Sequence, residues 1–141
     1  MSRHRAILAA GTTLVAAALF TVTPMAPASA ATPQCTTSKV IYPQSASSGN
    51  YAPAASNGST NCWMARGNNS GGVWALQRTL KYCYGKNIAL DSDFGPATQT
   101  ALRSVQDTIG AAVDGEYGPE TAGKINFSGL TSTARGACYP R

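Results

Sequence analysis

Val73, Leu76, Gln77 and Leu80 lie at positions i, i+3, i+4 and i+7, and Leu102, Val105, Gln106 and Ile109 repeat that spacing with glutamine at the same place. Apolar residues at this period line one side of an α-helix. The first pattern predicts a helix over about residues 72–84. Ser70 offers a capping oxygen at its start, and Gly85 suits a left-handed stop. Val73, Leu76, Leu80 and Cys83 share the inner face with Tyr84, while Trp74, Arg78, Lys81 and Tyr82 fall on the other side. The second pattern predicts a helix opened by Gly95-Pro96 and closed by Gly110, with Thr98, Leu102, Val105 and Ile109 inward. Proline fits its first turn. Gly118-Pro119 opens a short third helix ending near Ile125. Nothing between these elements alternates as a strand would.

The loops repeat as well as the helices. Leu90-Asp91-Ser92-Asp93-Phe94-Gly95-Pro96-Ala97-Thr98 returns as Val113-Asp114-Gly115-Glu116-Tyr117-Gly118-Pro119-Glu120-Thr121. A duplicated helix-plus-loop unit implies a small core assembled from two similar halves. Asp91 and Asp114 sit in turns where a carboxylate accepts backbone N–H groups. Phe94 and Tyr117 are equivalent aromatics placed to plug the ends of the helix pair. Gly95 and Gly118 let the chain turn before the prolines. Gln77 and Gln106, at the border of the apolar face, can tie a helix to a neighbouring loop.

Outside this unit the pattern fades. Residues 31–61 are rich in Ser, Ala, Asn, Gly, Thr and Pro, so an irregular arm is expected. Val40-Ile41-Tyr42 reads as at most a short strand, stopped by Pro43. Order is expected to begin near Cys62-Trp63-Met64. The tail, residues 127–141, is expected to be irregular until Cys138 pins it. The fold class expected is therefore all-α: a three-helix module over residues 67–126, an arm over 31–66 and a tail over 127–141.

Residues 1–30 read as an export signal. Arg3, His4 and Arg5 precede an apolar stretch over residues 6–22, and Ala28-Ser29-Ala30 has the form of a cleavage site. The stretch is short for a membrane span and is interrupted by Gly11, Thr12 and Thr13. Cleavage leaves 111 of 141 residues, and nine of the 11 Lys and Arg against six Asp and Glu, a net charge of about +3. That balance lacks the clustered charge of a nucleic-acid binder, and no other stretch suits a membrane. Four cysteines in a small exported chain read as two disulfides. Of three possible pairings, Cys35–Cys62 with Cys83–Cys138 is expected, closing the arm on itself and tying the tail to the first helix.

The order of residues resembles the peptidoglycan-binding domain of bacterial cell-wall proteins. The matching residues are Val73-x-x-Leu76-Gln77-x-x-Leu80, Asp91-x-x-Phe94-Gly95-x-x-Thr98-x-x-Ala101-Leu102 and Val105-Gln106, followed by Asp114-Gly115-x-Tyr117-Gly118-Pro119-x-Thr121 and Ile125. Ser92 stands where the family usually has glycine, and Val105 replaces the usual aromatic before Gln106. The resemblance implies a three-helix fold that binds peptidoglycan, through its glycan or its stem peptide, without cleaving it. Standing alone, such a module would coat or sense the wall, or help a separate wall hydrolase. The other class of function kept open is a secreted protein-interaction or inhibitor domain that retains the fold without wall binding.

Ligand contacts are expected from Trp74, Arg78 and Tyr82, which lie at i, i+4 and i+8 along one helix stripe, and from Asp93, Phe94, Arg103, Gln106 and Tyr117 around the loops. Aromatic rings stack on sugar faces, and arginine forks a carboxylate. The opposing reading has Trp74 and Tyr82 packed under the arm. Arg103 and Asp107 have the spacing of a surface pair, and Lys81 and Lys124 read as solvated. No cofactor or metal is expected: Asp91-x-Asp93 and Asp114-x-Glu116 lack the closing glutamate of a calcium loop. Their repeated position suits structural loops better than a glycosidase acid and base. With His4 in the signal, no mature histidine is left to activate a nucleophile.

Overall fold

The computed structural model describes residues 31–44, 48–130 and 137–141. The expected export signal lies outside the described residues.

Three helices lie where the apolar spacing puts them. α1 spans Gly71–Tyr84, and the Ser70 hydroxyl accepts from the Val73 N–H at its start. Gly85, at φ +66°, closes it in the left-handed conformation. α2 spans Pro96–Ile109 and ends at Gly110, also at φ +66°. α3 is a short Pro119–Lys124 segment whose following residue, Ile125, turns back into the core. Val73, Leu76, Leu80, Leu102, Val105 and Ile125 pack around Phe94 and Tyr117, all screened from solvent. Burying each large apolar side chain contributes about 1.5–3 kcal/mol.

The expectation of an all-α fold with an irregular arm and tail is corrected. The arm forms an antiparallel hairpin of β1, Thr37–Ile41, and β2, Asn50–Ala54, paired from Thr37–Ala54 to Ile41–Asn50. Phe127–Ser128 (β3) pairs antiparallel with Cys138–Tyr139 (β4). The architecture is mixed: three helices and two small two-stranded sheets.

Of the hairpin only Val40-Ile41 in β1 showed in the sequence, as the short strand expected there; β2, Asn50-Tyr51-Ala52-Pro53-Ala54, is mostly poor strand formers. The hairpin's stability comes from α1, which is buried on two sides. Gly72, Ala75 and Thr79 form a second buried stripe of small residues on α1, which packs against both β1 and β2, and Ala52 and Ala54 of β2 are buried. A methyl group at Gly72 would stand 2.9 Å from the Cys35 carbonyl oxygen. Small side chains thus bury fully without the large apolar residues that a hairpin in isolation would need. The Ser70 hydroxyl donates to the Cys35 carbonyl at 3.0 Å, fastening the arm to the start of α1. Disulfides Cys35–Cys62 and Cys83–Cys138 hold the arm and the tail.

Candidate functional site

Each loop is locked by the glutamine of the helix before it. Gln77 Nε2 donates to Asp91 Oδ1 at 2.7 Å, to the Asp93 carbonyl at 2.9 Å and to Thr98 Oγ1 at 3.1 Å. Its Oε1 accepts from the Ser92 N–H at 3.0 Å. Gln106 Nε2 makes the same set, to Asp114 Oδ1 at 2.8 Å, the Glu116 carbonyl at 2.8 Å and Thr121 Oγ1 at 3.1 Å, and its Oε1 accepts from the Gly115 N–H at 2.8 Å. Asp91 and Asp114 also accept from the N–H two residues on. These bonds use both ends of each buried amide, so the loops are rigid supports. The Gln77 bond, followed by the Asp93 N–H, lowers the Asp91 carboxyl below its ordinary value.

The chain before α1 runs across both loops. Met64 exchanges two backbone hydrogen bonds with Tyr117, each 2.8 Å. Gly67 donates to the Phe94 carbonyl, Phe94 donates to that of Asn68, and Ser70 donates to that of Ser92. Loops, helix starts and arm therefore meet on one face.

A depression of about 290 Å³ opens on that face, between the second loop, the start of α3 and the arm. Asp114, Glu116, Tyr117 and Glu120 line it from the module, and Thr32 and Trp63 from the arm. Burial raises the Tyr117 phenol well above its ordinary range, whereas the Lys124 bond lowers the Glu120 carboxyl. A second, shallower depression of about 470 Å³ lies beside α2, with Ile88, Pro96 and Ala97 as its apolar part and Lys86 bonded to Ser104 at 2.7 Å on its rim.

The residues expected to touch a ligand fall into two groups. Trp74, Arg78 and Tyr82 are half-buried beside the hairpin. Tyr51 of β2 meets Trp74 edge-on, with 5.2 Å between ring centroids. The Arg78 guanidinium lies 5.1–5.6 Å from the ring centres of Tyr51, Trp74 and Tyr82 and donates to the Gly129 carbonyl at 3.1 Å. The second group surrounds the loops. Phe94, Gln106 and Tyr117 are buried there, Asp93 is exposed, and Arg103 donates to the Asp114 carbonyl at 3.1 Å. Lys81 and Lys124, expected to be solvated, are bonded to the Ile88 carbonyl and to Glu120.

Sequence reasoning passed over Trp63, which is 39% exposed at the rim of the smaller depression. Its signal was a tryptophan beside a cysteine in an otherwise polar arm. Among the described residues no group of three or more His, Cys, Asp or Glu is placed to hold a metal ion.

Residues 69–125 match the profile of the family described as "Putative peptidoglycan binding domain". A zinc D-Ala-D-Ala carboxypeptidase of Streptomyces albus G is 46% identical over 41 residues, 29% of this chain and 16% of the carboxypeptidase. A peptidoglycan-binding protein from Clostridioides difficile, solved in complex with glutamine hydroxamate, is 30% identical over 60% of this chain and 53% of its own, with a TM-score of 0.46. The SleB N-terminal domain is 38% identical over 43% of this chain and 84% of its own, with a TM-score of 0.42. This chain thus spans about a sixth of the carboxypeptidase and about half of the clostridial protein.

Proposed function

The chain belongs to the peptidoglycan-binding domain family through residues 69–125, and from that membership we propose that it is exported and binds cell-wall peptidoglycan without cleaving it. The observation that carries this reading is the extent of the match, which takes in all three helices and both glutamine-locked loops. We place the contact surface on the loop face. The Arg78 stripe is the weaker choice, because its guanidinium is already held among three rings and by the Gly129 carbonyl.

The two disulfides support an extracellular or wall-associated protein, as does the export signal expected at residues 1–30. Its non-catalytic character is supported by chemistry already committed elsewhere. The described cysteines are paired, and Asp91 and Asp114 hold their own loops. A separate wall hydrolase is the second partner we propose. One small surface gives weak affinity per site.

The test is sedimentation of the oxidised protein with purified insoluble peptidoglycan at low salt, beside a wall-turbidity assay. Co-sedimentation without clearing is the expected result. A folded protein that stays in the supernatant overturns the binding reading and favours a protein partner; clearing of the suspension overturns the non-catalytic one.

A further inference from the structure

Resting on the wall-binding reading, we propose that the depression between Trp63 and the second loop is a saccharide subsite, and that the polymer is read there through its glycan rather than its stem peptide. Trp63 is the large apolar surface exposed at this depression. An indole face matches the C–H face of a pyranose ring, and sugar hydroxyl and acetamido N–H groups need acceptors around it. Asp114 and Glu116 supply those acceptors, with Glu120 beside them. Asp114 uses only Oδ1 for its own loop and so retains a second oxygen, whereas Glu120 is engaged by Lys124 and by the Ala112 N–H. The Asp114 and Glu116 carboxylates disfavour the anionic ends of a peptide, Glu120 being paired with Lys124.

The platform is built to hold still. The Trp63 N–H donates to the Pro33 carbonyl at 2.9 Å, and its own carbonyl accepts from the Cys35 N–H at 2.8 Å. Its neighbour Cys62 is bonded to Cys35, and on the other side Met64 is doubly bonded to Tyr117. A backbone fixed on both flanks leaves only the side-chain rotamer to be ordered on binding. Trp63 and Thr32 precede residues 69–125, so the arm adds this half of the site to the family domain.

The experiment sediments the oxidised protein with intact peptidoglycan and with glycan strands freed of stem peptide, using the parent, Trp63→Ala and Trp63→Phe, each checked for an unchanged thermal melt. The parent is expected to bind both materials. Trp63→Ala is expected to bind each about tenfold more weakly, and Trp63→Phe to keep most of the affinity. Parent binding to intact peptidoglycan but not to peptide-free strands overturns the glycan assignment, and so does undiminished binding by Trp63→Ala. Failure of the parent on intact peptidoglycan removes the wall-binding reading itself. Should Trp63→Ala not fold, a Trp74→Phe variant leaves Trp63 as the single indole of the two in the chain. A shift of its fluorescence with an N-acetylglucosamine tetramer is then expected, and an unchanged spectrum overturns the proposal.

Discussion

Ser92 occupies a left-handed turn at φ +65°, where the second unit has Gly115 at φ +74°. A side chain in that conformation costs about 1–2 kcal/mol, partly offset by the greater flexibility of an unfolded glycine. Ser92→Gly is therefore expected to raise stability by about 0.5–1 kcal/mol, read as a higher melting temperature with the Gln77 bonds intact. Gln106 carries the opposite prediction. Its truncation to Ala strands the Gly115 N–H and the Asp114 carboxylate around a buried amide site. The expected loss is about 3 kcal/mol in denaturant unfolding. Asp91 adds a pH dependence. Its folded pKa lies below the ordinary 3.8 because Gln77 and the Asp93 N–H bond the charged form. The folded state thus gains stability that is present above that value and is lost as pH falls through the lowered one. Melts of the parent should weaken below about pH 3.8, and Asp91→Asn should start lower at neutral pH and change less over that window.

At the scale of elements, α1 is the axis of the molecule, with the second helix and loops on one side and the hairpin on the other. Gly72 decides how closely the hairpin approaches, since a methyl there meets backbone atoms at 2.9 and 3.1 Å. Backbone cannot step aside as a flexible side chain can. Gly72→Ala is expected to cost about 1–3 kcal/mol through overpacking, with faster amide exchange at Thr36 and across β1 and β2 than in α2. The aromatic stripe on α1 belongs to the same contact. Arg78 joins Tyr51, Trp74 and Tyr82 and bonds Gly129, so Arg78→Ala should lower the melting temperature while leaving peptidoglycan sedimentation close to that of the parent.

At the scale of the whole molecule, two disulfides close loops of different reach, with sequence separations of 27 and 55 residues. Loop-closure entropy assigns each roughly 3–4 kcal/mol, the longer loop somewhat more. Their effects on binding are expected to differ. Replacing Cys83 and Cys138 with serine should lower stability but leave the affinity of the folded protein unchanged. Replacing Cys35 and Cys62 should lower both, because that bridge flanks Trp63. Sedimentation of each double variant at a temperature where both are folded separates the two effects.

The helices and loops were legible along the chain because what forms them is local. Apolar spacing at 3.6 residues, Ser70 and Gly85 at the ends of α1, and the repeated Asp-x-x-aromatic-Gly-Pro turns each act within a few residues. The family resemblance rested on those same positions, as did the expectation that Gln77 and Gln106 tie helix to loop. Of the hairpin only Val40-Ile41 was legible; β2 was not, because Asn, Ala and Pro carry no strand signal of their own, and the two-residue tail strands form only by pairing with each other. Trp63 belongs with them. Its exposure, its rigid backbone and the carboxylates across from it exist only once Cys35–Cys62 and the Met64–Tyr117 bonds bring the arm to the second loop. Local spacing set the module; contacts between residues far apart in the chain built the mixed fold and the depression at its edge.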